Sequence, residues 1–177
     1  MVRRQRLDGP IMIMKYFTND WFFSKLSDDD IEEISGRYWG YIDCIFEKLP
    51  FTLKVLSKYV NLHDGVVVES NFNKEKHVLK LELFCGDLQS GYFLLQLHYN
   101  GISDQSKNLE KIENFLEICA DELEMIDHNH FNHRILLSNS IELQIGFSDI
   151  SINIINKKPE DYETISVLKR KSTMRMI

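Results

Sequence analysis

The apolar positions along the chain follow two periods, and the change between them falls near residue 62. From Asp28 onward, Ile31, Ile34, Tyr38, Tyr41 or Ile42, Ile45 and Leu49 recur at the spacing of one helical stripe. Ser27 stands before them as an N-cap, and Asp28, Asp29 and Asp30 fill the first turn, where carboxylates favour the positive end of the helix dipole. Pro50 ends the helix, and Leu53, Leu56 and Tyr59 or Val60 predict a second, shorter one over residues 51–60. Gly36 and Gly40 inside the first helix cost about 1 kcal/mol each against Ala, which predicts another element packed closely against them.

Beyond residue 62 the period becomes two. Val66, Val68 and Phe72 open it, and Leu79, Leu81, Leu83 and Cys85 then alternate with Lys80 and Glu82. Phe93, Leu95, Leu97 and Tyr99 repeat the alternation with Gln96 and His98 outward, and "GDLQSG" between the two runs has the composition of a hairpin turn. After a polar loop over 100–108, Leu109, Ile112, Phe115 or Leu116, and Cys119 return to helical spacing and predict a helix covering the sheet. "HRILLS", "IELQIGF" and "ISINII" close the pattern as a hairpin and a further strand.

Helical and strand runs that are separate rather than interleaved indicate an α+β fold. The expected architecture is an N-terminal helical pair, then a largely antiparallel sheet of about six strands, meander plus C-terminal hairpin, with one further covering helix. Residues 1–13 read as an N-terminal extension, with Met12 or Met14 as a possible natural start. Residues 14–156 read as one domain, helical over 14–61 and sheet over 62–156. Residues 157–177, with Pro159 and mixed charge, read as a flexible tail.

Charge changes the picture of partners. The chain carries a formal −6, but residues 11–156 hold 12 basic and 23 acidic side chains, while both ends are basic. A body of that sign repels nucleic-acid phosphates and anionic membranes and speeds encounter with a basic protein. The three cysteines, Cys44, Cys85 and Cys119, are far apart and set in apolar stretches, so neither a disulfide framework nor a CxxC metal knuckle is indicated. Arg3, Arg4 and Arg6 precede only the short apolar run "IMIM", and no segment approaches the roughly 20 apolar residues of a membrane helix. A cytoplasmic protein without nucleic-acid or membrane partners is expected.

Candidate chemistry is sparse. "DHNHFNHR" at 127–134 holds three of the six histidines. On a strand His128 and His130 share one side, and zinc needs three or four ligands, so a site requires His98 or His133 as well. With Asp and Asn at its centre and apolar flanks, the segment reads first as a hairpin turn. His63 and Asp64 lie at a strand entry and read as capping residues. "GDLQSG" lacks the GxxxxGK[ST] pattern of a phosphate loop, and no GxSxG elbow is present. Cys85 paired with His98 would be a nucleophile and base, but its alternation places the thiol in the core, where it is inert. Tyr38, Trp39 and Tyr41 are too dense for one buried stripe, so an exposed Tyr38 or Trp39 is expected, and such residues are enriched at interface hot spots.

"MKYFTNDW" at 14–21, "LHDG" at 62–65, "CGDLQSGYFLLQLHYNG" at 85–101 and "FNHRILLSNSIELQIGFSDI" at 131–150 resemble a set of small bacterial proteins classed as a domain of unknown function. The likeness covers roughly residues 62–156. In those relatives a histidine matching His133 precedes the "RILLS" strand, while the residues before it are usually acidic where this chain has "DHNH". The resemblance implies a soluble bacterial protein and carries over no catalytic residues.

The sequence therefore leads to a non-catalytic protein-binding module without a cofactor, in its most specific form an immunity protein that neutralises a basic toxin domain by acidic complementarity. Its contact residues are expected to be Asp28, Asp29, Asp30, Glu32, Tyr38 and Trp39. Two alternatives stand beside it: a metal-dependent hydrolase using His98, His128, His130 and His133, and an accessory or scaffold protein.

Overall fold

The computed structural model describes residues 13–23, 25–158 and 160–161, so the expected flexible tail and all of the N-terminal extension except Ile13 lie outside it or at its margin. A helical region comes first, with α1 (Asn19–Phe22), α2 (Asp28–Ile45) and α3 (Phe51–Lys58). Then follow β1 (Val66–Asn73), β2 (Val78–Asp87), β3 (Gly91–Asn100), β4 (Ile118–Met125), β5 (Phe131–Leu137), β6 (Glu142–Phe147) and β7 (Asp149–Lys157). The fold is α+β, and its strands form two antiparallel sheets, ordered β1-β2-β3-β7 and β4-β5-β6, rather than one. No helix among the described residues is long and apolar enough to cross a membrane.

Helix α2 forms as its sequence dictates. The Ser27 hydroxyl accepts the Asp30 N–H at 3.2 Å, and Tyr38, Ile42 and Ile45 are buried on the predicted stripe. The expectation for its glycines fails among the described residues: a Cβ at Gly36 or Gly40 would meet none of their atoms within 4 Å, so no described element packs there.

In the larger sheet, Leu79, Leu81 and Leu83 of β2 and Leu95, Leu97 and Tyr99 of β3 face inward in register, as their alternation requires. β1 departs from its predicted phase, because a bulge between Val67 and Glu69 turns Val67 inward opposite Leu83. The β2–β3 connection is the expected turn, with Asp87 Oδ1 accepting the Gln89 and Ser90 N–H groups at 2.7 Å each.

The predicted covering helix is absent. Residues 109–111 make one 3-10 turn, Phe115 has φ 69°, and the chain then runs extended into β4. Backbone pairing of Val67 with Phe115 and Leu116 holds this segment against β1, and Leu109, Ile112, Leu116 and Cys119 are buried without a helix to space them. Pairing and burial across the fold override the local period.

The two sheets share one core with the buried face of the helices. Tyr99 joins them, meeting the Phe147 ring edge-on at a centroid separation of 5.1 Å. The second face of β4-β5-β6 is covered by the chain entering the fold. Glu122 Oε1 accepts N–H groups from Tyr16 at 2.6 Å and Phe17 at 2.7 Å, and Glu122 Oε2 that of Lys15 at 2.9 Å. Glu142 Oε2 accepts those of Ile13 and Met14 at 2.6 and 3.0 Å. Successive N–H groups turned toward one carboxylate satisfy its charge where it is buried. Ile13, which the sequence placed in the N-terminal extension, is buried and bonded.

A cleft floored by Asp121 as the candidate functional site

β4 pairs with β5 on one side only, and α2 closes its other edge. The Tyr38 hydroxyl accepts the Leu123 N–H at 2.9 Å, and the Tyr41 hydroxyl accepts the Met125 N–H at 2.9 Å. Residues three apart lie on one helix face, and alternate N–H groups of an edge strand point the same way, so the two hydroxyls meet the two donors in register. Burial, followed by the charge of Asp121, pushes the Tyr38 phenol far above its usual range despite the opposing Leu123 hydrogen bond.

Seating α2 in this way leaves a cleft of about 430 Å³ between α2, the 59–63 loop after α3, and the start of β4. Its apolar and aromatic lining includes Phe17, Trp21, Tyr38, Trp39, Tyr59 and Leu62, and Asp121 stands in it as the acid. Clefts of roughly 300–1,000 Å³ with apolar walls and few polar groups are the usual form of binding sites. Trp39 is 49% exposed and Tyr59 76% exposed, so both rings offer surface at the opening.

Asp121 is fixed from behind. His133 Nε2 lies 3.0 Å from Asp121 Oδ2, and the other ring nitrogen, Nδ1, lies 2.7 Å from the Tyr99 hydroxyl. A neutral ring satisfies both contacts, with Nε2–H donating to the carboxylate and Nδ1 accepting the Tyr99 O–H. His133 is 0% exposed and Tyr99 is wholly buried, whereas the Asp121 side chain is 28% exposed. The order is the reverse of a nucleophile triad, in which the acid is buried and the hydroxyl meets substrate. Here the hydroxyl is sealed in the core and the carboxylate lines the cleft, so the chain of bonds orients the acid rather than a hydroxyl.

Lys58 and His63, which also line the cleft, are already paired. Lys58 Nζ lies 2.6 Å from Asp43 Oδ1 and 4.4 Å from the Phe46 ring centroid, and His63 Nδ1 lies 3.1 Å from Asp64 Oδ2. Among the described residues, no Lys or Arg pairs with Asp121. Cys119 lines the cleft, but burial, with the charge of Asp64, pushes its thiol up and keeps it protonated. Cys85 behind it is pushed up to about 12, mainly by burial.

Of the residues singled out in the sequence, Asp28, Asp29, Asp30 and Glu32 are exposed at the start of α2, and Trp39 lines the cleft. Tyr38 lines the cleft as well, but at 4% exposure its ring packs into the core and its hydroxyl caps β4, so the exposed aromatic of the pair is Trp39. The four histidines are not brought together. His128 and His130 lie in the β4–β5 connection, where Asp127 Oδ1 accepts the Asn129 N–H at 2.8 Å and holds His130 Nδ1 at 2.9 Å. His133 is interior, and His98 sits on the outer face of the larger sheet beside Lys80, Glu82 and Gln96. Among the described residues no group of three His, Cys, Asp or Glu side chains is placed to hold a metal ion.

The sequence reading missed Asp121 and Glu122. In "ADELEM" Glu122 and Glu124 alternate with Leu123 and Met125 in the period of a strand, which places Asp121 as the one acid on the apolar side. The chain matches no protein-family model, no curated protein and no solved structure.

Proposed function

We propose that this protein is a non-catalytic protein-binding module that receives a basic partner at the Asp121 cleft and the acidic start of α2. In its specific form it is an immunity protein that caps a toxin domain. The observation that carries this reading is the half-exposed Trp39 lining a cleft whose carboxylate has no Lys or Arg counterpart among the described residues. At about 100° per residue, Asp28, Glu32 and Trp39 fall within roughly 40° of one another around α2, so the acids flank the aromatic opening. A positive surface approaching this flank gains on-rate from the field, and affinity from aromatic burial once docked.

The test is association with the protein encoded by the adjacent gene, followed at low and high salt. The wild-type chain is expected to bind, with an on-rate that falls steeply as salt rises. Reversing Asp28, Asp29 and Glu32 to lysine is expected to slow association about tenfold or more and flatten the salt dependence. Affinity that survives the reversal argues against this surface.

A further inference from the structure

We infer that the Asp121 cleft is an arginine pocket, taking one guanidinium of the basic partner against the Asp121 carboxylate and the Trp39 and Tyr59 rings. This inference rests on the partner-binding reading above and assigns the chemistry of its central contact. Among the described residues, His133 is the only hydrogen-bond partner of the Asp121 carboxylate, and it occupies Oδ2, so Oδ1 has no protein partner while the residue lines the cleft. The bonds through His133 to Tyr99 are buried, so the carboxylate is held in place before any ligand arrives, which lowers the ordering cost of binding. The nitrogen-bearing side chains already at the cleft are engaged elsewhere, Lys58 with Asp43 and the Phe46 ring, and His63 with Asp64.

An arginine fits this setting better than a lysine. A guanidinium is planar and weakly hydrated, stacks on aromatic faces and donates several hydrogen bonds, whereas an ammonium gives up its water reluctantly. The exposed rings of Trp39 and Tyr59 supply such faces, and the apolar lining from Phe17 and Leu62 suits the methylene stem.

Both tryptophans of the chain, Trp21 and Trp39, line this cleft, so their indole N–H resonances report directly on its occupation. The experiment titrates the isotopically labelled full chain with acetyl-Gly-Arg-Gly-amide, and separately with the citrulline peptide of the same shape. Saturable indole shifts are expected with arginine in the millimolar range and binding about tenfold weaker or more with citrulline, which lacks the charge. Asp121→Asn retains an oxygen to accept from His133 and is expected to lose arginine binding by a similar factor. Tyr59→Ala, at an exposed position, is expected to weaken it about two- to fivefold. Equal shifts with arginine and citrulline, no saturable shift with arginine, or unchanged affinity in Asp121→Asn each overturn the pocket. If the pocket fails while charge reversal on α2 still abolishes partner association, the partner-binding reading stands without it. If both fail, the reading itself falls.

Discussion

His133 Nε2 lies 3.0 Å from Asp121 Oδ2, and through this one bond a carboxylate at a solvent-facing cleft is tied to the centre of the core. His133 stands on β5 of one sheet and Tyr99 on β3 of the other, so the bonds that aim Asp121 also join the two sheets. Site geometry and fold stability are therefore coupled at the same three side chains.

Replacing Tyr99 by Phe removes the hydroxyl and leaves His133 Nδ1 buried without a partner. The expected loss is about 1–3 kcal/mol in urea unfolding, with the midpoint lowered and the slope unchanged. A neutral or stabilised variant contradicts the assignment of Tyr99 as the donor.

Tyr38→Phe and Tyr41→Phe each remove an acceptor from the edge of β4, but the two sites differ in burial. The Leu123 N–H that Tyr38 receives is buried, while the Met125 N–H at Tyr41 is only partly so. Tyr38→Phe is expected to cost about 1–3 kcal/mol and Tyr41→Phe about 1 kcal/mol or less, because water replaces the lost partner at the second. Amide exchange at Leu123 and Met125 checks the same point, since each variant is expected to speed exchange at its own donor.

Burial pushes the Glu124 carboxyl up, but hydrogen bonds from Lys15, Arg134 and Asn132 outweigh it and hold the group below its usual value. A carboxyl lowered in the folded state adds stability that is complete above its unfolded-state value and is lost as the pH falls through the folded-state one. Glu124→Gln is thus expected to flatten the acid limb of the stability profile below the usual glutamate range and to lower stability at neutral pH. An acid limb of unchanged steepness in the variant speaks against the Glu124 assignment.

Gly36 and Gly40 lie in the interior of α2 with open space where a Cβ would stand. Alanine at either position is expected to raise stability by about 0.5–1 kcal/mol, from the entropy of the unfolded chain and better helix propensity. Thermal unfolding of the two variants measures it, and destabilisation would show that the open face is needed by the fold.

Much of the fold was legible because local and global preferences agree. Ser27, the three aspartates after it and Pro50 bracket α2, and the leucines of β2 and β3 keep one alternating face over whole strands. The misreadings occur where tertiary contacts decide. Leu109, Ile112, Leu116 and Cys119 mimic helical spacing, yet pairing with β1 holds the segment open and Phe115 turns through a left-handed backbone. β4 is rich in Ala, Glu, Leu and Met, good helix formers, and becomes a strand because its backbone pairs with β5 from Ile118 to Met125. The cleft was half visible: Trp39 and the acids of α2 were named, but Asp121 acquires its role only from His133 and Tyr99, which are distant in sequence.

Hydroxyl-radical footprinting of the complex with the adjacent-gene partner locates the contact surface, because it reads side-chain exposure one residue at a time. Trp39 and Tyr59 are expected to become protected from oxidation, while Leu88 in the β2–β3 turn reacts as in the free protein. Protection of the outer sheet face around His98, with Trp39 and Tyr59 oxidised as before, would contradict the proposed surface.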